Sequence, residues 1–213
     1  MKRLLSVLTL TILLLLAGAT FALAQDGGMN ENEAIAVFAG GCFWCMEPPY
    51  DDVDGVKETI SGYTGGTVEN PTYREVVRGG TGHLEAVQIV YDPSKVSYED
   101  LLYIFWRNID PLDPGGQFCD RGESYTTAIF YANDEQRRLA RESLREIRGE
   151  FDDRIVTDIE PLGEFYRAEE YHQNYYQKNP SRYSFYRASC GRDARLRRLW
   201  GDEGGTHSVP SGS

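Results

Sequence analysis

Cys42 and Cys45 stand two residues apart in Gly40-Gly41-Cys42-Phe43-Trp44-Cys45-Met46-Glu47, and their type and spacing point to thiol chemistry. A cysteine becomes a nucleophile when its thiolate is stabilised, and the free N–H groups and dipole of a helix N-terminus do this. The apolar run at 34–39 (AIAVFA) reads as a buried strand, and Gly40-Gly41 permits a tight turn out of it. That places Cys42 at the start of a helical turn, with Cys45 following at i+3 on the same face. Phe43 and Trp44 would then form an apolar wall beside the sulfur. A C-x-x-C pair is a redox signal whose plain alternatives are a local disulfide or half of a zinc site. Zinc needs about four ligands. Cys119 and Cys190 are isolated and His83, His172 and His207 are scattered, so no metal is expected.

The elements that must position this turn follow from pattern. Residues 56–63, 85–91, 126–131 and 155–159 read as strands, and 97–108 as a helix capped by Ser97. Residues 134–147 form a charged amphipathic helix, and 169–178 a tyrosine-rich helix that ends before Pro180. Two Gly- and Pro-rich loops, 67–82 (with one helical turn at 74–78) and 110–122, lie at element ends, where sites collect. Pro48-Pro49 predicts a kink after one turn beyond Cys42. The order predicts an α+β fold: a two-layer sandwich with a ferredoxin-like βαββαβ core and a C-terminal extension.

At the N-terminus, Lys2 and Arg3 precede an uncharged apolar run and Ala22-Leu23-Ala24, which fits a signal peptide over 1–24 or an uncleaved anchor. The expectation is an exported protein, periplasmic or secreted. Residues 25–201 form one domain and 202–213 a flexible tail. The formal net charge of −11, more negative still without Lys2 and Arg3, argues against nucleic acid and anionic membranes as partners. In an oxidising compartment four cysteines also admit two structural disulfides.

Gly41-Cys42-Phe43-Trp44 resembles the active-site motif of the A-type peptide-methionine sulfoxide reductases. The similarity continues through Ser61-Gly62-Tyr63-Thr64-Gly65-Gly66, Asn70-Pro71-Thr72-Tyr73, Gly82-His83-Leu84-Glu85-Ala86-Val87 and Tyr91-Asp92-Pro93. It resumes at Asp120-x-Gly122-x-x-Tyr125, Glu170-Tyr171-His172-Gln173 and Lys178-Asn179-Pro180, in order over residues 34–200. The resemblance implies thiol-dependent reduction of methionine S-sulfoxide, free or in oxidised proteins, with no cofactor. It makes Cys42 the nucleophile, Glu85 the acid that protonates the sulfoxide oxygen, and Tyr73 and Tyr125 hydroxyl donors to that oxygen. Asp120 would complete the polar wall, and Phe43 and Trp44 would hold the methyl group.

A Cys42 sulfenic acid needs a second thiol and then a thioredoxin-like reductant. Cys190, in a C-terminal Ser-Cys-Gly segment, is the favoured resolving cysteine and Cys45 the second candidate, with Cys119 as relay or bystander. Each site residue also has a plain reading: Glu85 as an exposed strand carboxylate, the tyrosines and Trp44 as packing. His172 reads as a structural histidine. Two rivals stand beside the reductase: a C-x-x-C thiol–disulfide oxidoreductase and a non-enzymatic exported domain stapled by disulfides.

Overall fold

Ala36, Val37, Phe38 and Ala39 are all buried, and an apolar run of that kind is buried on both faces, so Ala34–Gly40 (β1) lies inside the sheet. The structure is a computed structural model that describes residues 32–151 and 154–208. The expected leader at 1–24 lies outside the described residues. The remaining strands are Val56–Thr64 (β2), Leu84–Tyr91 (β3), Gly116–Gln117 (β4), Asp120–Arg121 (β5), Thr127–Tyr131 (β6), Asp158–Pro161 (β7) and Tyr166–Arg167 (β8). The helices are Pro48–Asp51 (α1), Tyr73–Arg78 (α2), Tyr98–Arg107 (α3), Asp134–Glu150 (α4), Tyr175–Lys178 (α5), Pro180–Ser189 (α6) and Arg192–Trp200 (α7). None of the helices among the described residues is long and apolar enough to cross a membrane.

Six strands form one mixed sheet in the order β7-β6-β1-β3-β2-β8, and β4 and β5 form a separate hairpin. Neighbours are antiparallel except β6 and β7, which run parallel. The central order β6-β1-β3-β2 is compatible with the expected βαββαβ core, and the fold is α+β. One sheet face carries the main core, where Phe38, Val87, Ile89 and Ile129 pack against Leu101, Phe105 and Trp106 of α3 and Leu139, Ala140 and Ile147 of α4. The other face, with Val37, Ala39, Ala86 and Phe130, is covered by Leu162 and Phe165.

Register decides where the chemistry sits. Glu85 pairs with Tyr63, and Gly40 at the end of β1 pairs with Thr127, two residues after Tyr125. Three distant segments therefore meet where β1 ends. The helix after Cys42 is shorter than a crossover helix: a 3-10 turn at Phe43–Cys45 and then the four-residue α1, with Pro48 and Pro49 at its N-terminal positions. Proline is tolerated there because the first-turn N–H groups have no intrahelical partner.

Three expectations change. The helix expected at 169–178 shrinks to α5, because Asn174 adopts φ +51 and breaks the run. Pro180 begins α6 at its first position instead of only ending a helix. The tail begins in contact: Arg107 pairs with Glu203 (2.9 Å), Gly205 N–H donates to Arg107 O (2.8 Å) and Asn108 donates to Thr206 O (2.8 Å). Residues 209–213 lie outside the described residues.

Gly41 makes the turn into Cys42 with φ +82, and a Cβ there would stand 2.5 Å from Gln117 Cβ. Gly41→Ala combines left-handed strain with overpacking, so it should lower unfolding free energy by about 1–3 kcal/mol, read from urea midpoints at constant slope.

Candidate active site

Cys42 lies at the N-cap of the 3-10 turn and is 6% exposed. Cys45 N–H donates to Cys42 O at 3.0 Å, which closes the turn and brings the two thiols to one side. Both are buried free thiols hydrogen-bonded to each other. Here the expected thiolate at a helix N-terminus is not what forms. The Phe43 N–H, one of the few free donors of so short a turn, is taken by Glu85 Oε2 at 3.1 Å. Burial pushes the Cys42 thiol up, and Cys45, Glu85 and Asp120 add to that. Cys45 is held down to about 6, first by the hydrogen bond from Cys42 and then, against burial, by Arg192 and Arg187.

Glu85 is 1% exposed, in contrast to its plain reading as a solvated strand carboxylate. Burial pushes its carboxyl up to about 8; the Phe43 N–H and the Tyr125 hydroxyl offset part of this, while Asp120 and Cys45 raise it. It is therefore mostly protonated at neutral pH. The Tyr73 and Tyr125 hydroxyls hydrogen-bond to each other beside it. Tyr73 is delivered by α2, whose start is fixed by a reciprocal box between Thr72 and Glu75, with Glu75 N–H to Thr72 Oγ1 at 3.4 Å and Thr72 N–H to Glu75 Oε2 at 2.9 Å. Asp120, in the β4–β5 hairpin, accepts the Tyr186 hydroxyl from α6, and Tyr186 also reaches Cys42.

Phe43 is fully enclosed and packs in one cluster with Tyr63, Val76, Ala168, Trp44 and Tyr73. Trp44 is half-buried and stacks on Tyr175 with ring centroids 3.7 Å apart and planes 7° from parallel. Its indole N–H donates to His172 Nδ1 at 3.0 Å. That bond requires an unprotonated Nδ1, and burial holds His172 down to about 4, so the ring is neutral with its proton on Nε2 facing Glu169 at 4.0 Å. Glu169 also accepts the Tyr73 N–H (2.9 Å) and the Tyr63 hydroxyl (2.8 Å). His172 thus keeps its structural role, acting on the Trp44 wall.

The structure brings Cys42, Cys45, Phe43, Trp44, Tyr73, Glu85, Asp120 and Tyr125 to one site. Cys190, the favoured resolving cysteine, is bonded to Cys119 across 71 residues of sequence, so its thiol is not free. The pairing arises because α6 packs over the β4–β5 hairpin through Tyr186 and Asp120. Cys119, Asp120 and Cys190 hold ligand-type atoms within 4.8 Å of one another, but with the sulfurs bonded together they offer a single carboxylate. Tyr63, quoted only within a motif, and Glu169, Tyr175 and Tyr186 support the site without having been given a role from the sequence; for the last two the hint was the density of tyrosine after residue 171. Glu47 was missed as well: it is buried, accepts from Ser61 (2.8 Å) and from Asn174 N–H (3.2 Å), and burial pushes it up to about 7.

Most of the chain is similar to known proteins. Residues 34–204 match the family model described as peptide methionine sulfoxide reductase. A curated relative, the peptide methionine sulfoxide reductase MsrA of Bacillus licheniformis, is 56% identical over 175 residues, covering 81% of this chain and 97% of that protein. The MsrA of Bacillus subtilis is 53% identical over 81% of this chain and 99% of its own length. Among solved structures, methionine sulfoxide reductase A of Corynebacterium diphtheriae superposes with a TM-score of 0.68 at 35% identity, covering 71% of this chain and 77% of that one. The match of sequence and fold together leads to one assignment: this chain belongs to the peptide methionine sulfoxide reductase family.

Proposed function

We propose that this protein reduces methionine S-sulfoxide, free or within oxidised proteins, to methionine, with Cys42 as the nucleophile. The observation that carries the assignment of roles is Glu85, a buried carboxyl held up to about 8 beside Cys42 and linked to Tyr125. A sulfoxide oxygen leaves only after gaining a proton, and a group with its proton still on at neutral pH can supply one. Tyr73 and Tyr125 orient that oxygen. Phe43 and Trp44 enclose the methyl group, with Trp44 fixed by Tyr175 and His172.

In the proposed sequence Cys42 sulfur attacks the sulfoxide sulfur and passes its proton to Cys45. The attack forms a Cys42–methionine S–S bond and Glu85 protonates the oxygen; the methionine S–O bond and that S–S bond then break as the oxygen bonds to Cys42 sulfur, which releases methionine and leaves a Cys42 sulfenic acid. Cys45 is the resolving cysteine: it is free and hydrogen-bonded to Cys42, whereas Cys190 is bonded to Cys119. The sulfenic acid and the Cys45 thiol condense to a Cys42–Cys45 disulfide with loss of water. A thioredoxin-like dithiol then reduces it. The basic and apolar start of the chain with Ala22-Leu23-Ala24 supports export to a periplasmic or extracellular setting, with which a Cys119–Cys190 disulfide is consistent.

Turnover of separated epimers with dithiothreitol should show activity on the S form alone, abolished in Cys42→Ser. Inactivity on both epimers would favour the thiol–disulfide oxidoreductase reading instead. Because the acid form of Glu85 is the active one, kcat/KM should fall as pH rises through about 8. Glu85→Gln keeps the shape but has no proton to give, and should lose roughly 10²–10⁴-fold in kcat/KM. In a single turnover without reductant, Cys45→Ser should leave a Cys42 sulfenic acid that a dimedone probe traps. Cys190→Ser should still form the Cys42–Cys45 disulfide, seen by peptide mass mapping.

A further inference from the structure

Glu47 lies just beyond the short turn that carries Cys42 and Trp44, and its N–H donates to Phe43 O at 3.1 Å. Its side chain is fully buried, an uncommon place for a carboxyl that has no ionic partner. One oxygen, Oε1, accepts both the Ser61 hydroxyl of β2 at 2.8 Å and the Asn174 N–H at 3.2 Å. The other, Oε2, is buried without a hydrogen-bond partner. Leaving a buried carboxyl half satisfied is costly, and the use that offsets the cost lies in what Oε1 holds.

Asn174 has a left-handed backbone, φ 51 and ψ 40, which residues other than glycine adopt less readily. Its carbonyl accepts the Gln177 N–H at 3.1 Å and the Lys178 N–H at 3.0 Å, so this one residue aims α5. Tyr175 is the first residue of α5, and its ring is the one stacked on Trp44. Three ties therefore join the Cys42 turn and its continuation to this segment: the Trp44 indole to His172, the Trp44–Tyr175 stack, and Glu47 to Asn174. The first two touch Trp44. The third touches neither ring and sets where the Tyr175 ring stands relative to the turn. Gln173 bonds the N–H and C=O of Ser61 at 3.0 and 2.9 Å, so the Ser61 that holds Glu47 also holds the residue before Asn174. We propose that Glu47 is a positioning residue that sets the width of the methyl pocket, and with it the preference for methyl over a larger alkyl group on the sulfoxide sulfur. With its plane 7° from that of Tyr175, Trp44 has no room to tilt back. A larger group must displace Tyr175, and the Glu47–Asn174 bond resists that. The proposal rests on Trp44 as a wall of the methyl pocket.

The test follows methionine release in a single turnover of the reduced protein over a range of sulfoxide concentrations, which leaves regeneration out. The substrates are methionine S-sulfoxide and its S-ethyl homologue. The wild type should favour methyl over ethyl by roughly tenfold or more, as a rigid apolar pocket does for one methylene. Glu47→Leu should raise the half-saturating concentration of the methyl substrate by roughly tenfold, the worth of one stacked-ring contact, with little change in maximal rate. It should also shrink the preference for methyl, and Glu47→Gln, which keeps a carbonyl acceptor, should recover most of both. Tyr175→Leu should give the same two changes, and adding Glu47→Leu to it should cost nothing further. A Glu47→Leu that lowers only the maximal rate, with half-saturation and preference unchanged, is merely structural and overturns the proposal. If Glu47→Leu does not fold, Ser61→Ala takes its place and should shrink the preference in smaller measure. A folded Ser61→Ala with unchanged preference overturns the proposal equally. An unchanged preference in Tyr175→Leu leaves Glu47 nothing to position and overturns it without any Glu47 variant. A wild type that reduces both homologues alike defeats the methyl pocket and this proposal while sulfoxide reduction stands. A wild type that reduces neither defeats the proposed function as a whole, and this proposal with it.

Discussion

The bond from Phe43 N–H to the Glu85 carboxyl is the constraint on which the site depends. It joins the end of β1 to the start of β3 at a point where neither group meets water, so each would be costly if left alone. By occupying the donor next to Cys42 it keeps that sulfur from being a resting thiolate. By lying in a buried position it keeps the proton on the carboxyl, against the lowering effect of the bond itself. Cys42 and Glu85 therefore both keep their protons near neutral pH, side by side at the end of β1. Both states are set by desolvation, the largest single influence on each group.

The apolar side of the site is made by the far end of the chain. Gln173 bonds both N–H and C=O of Ser61, and Glu47 bridges Ser61 to the Asn174 backbone. These contacts clamp the segment bearing His172 and Tyr175 against β2 and α1, and that segment in turn holds Trp44 at its plane and its N–H. Glu169 does the same for Tyr73. A wall whose rotamers are locked by stacking and by second-layer hydrogen bonds orients a substrate more tightly than the short turn on which Trp44 sits.

Much of this was legible in the residues, and the failures have physical causes. The buried strand at 34–39, the Ser97 cap and the α4 stripe are local signals with the right period. The motif resemblance located Cys42, Glu85, Tyr73, Asp120 and Tyr125, which local pattern alone reads as packing or surface. What pattern could not supply was pairing at a distance. The bond between Cys119 and Cys190 depends on how α6 lies over a two-strand hairpin, and no spacing rule gives connectivity for four cysteines. The helix expected to end before Pro180 does so, and what the pattern missed is α6, which Pro180 opens because proline suits a first helical position equally well.

The Cys119–Cys190 bond closes a loop of 71 residues that includes β6, α4 and β7. In the chain-entropy picture such a closure removes freedom from the unfolded ensemble and favours the native state by about 4 kcal/mol. Resistance to unfolding therefore tracks the redox state of the surroundings. The protein is sturdiest under the oxidising conditions that generate methionine sulfoxide, and a strong reductant that reached this bond would loosen the scaffold around Cys42 and Cys45.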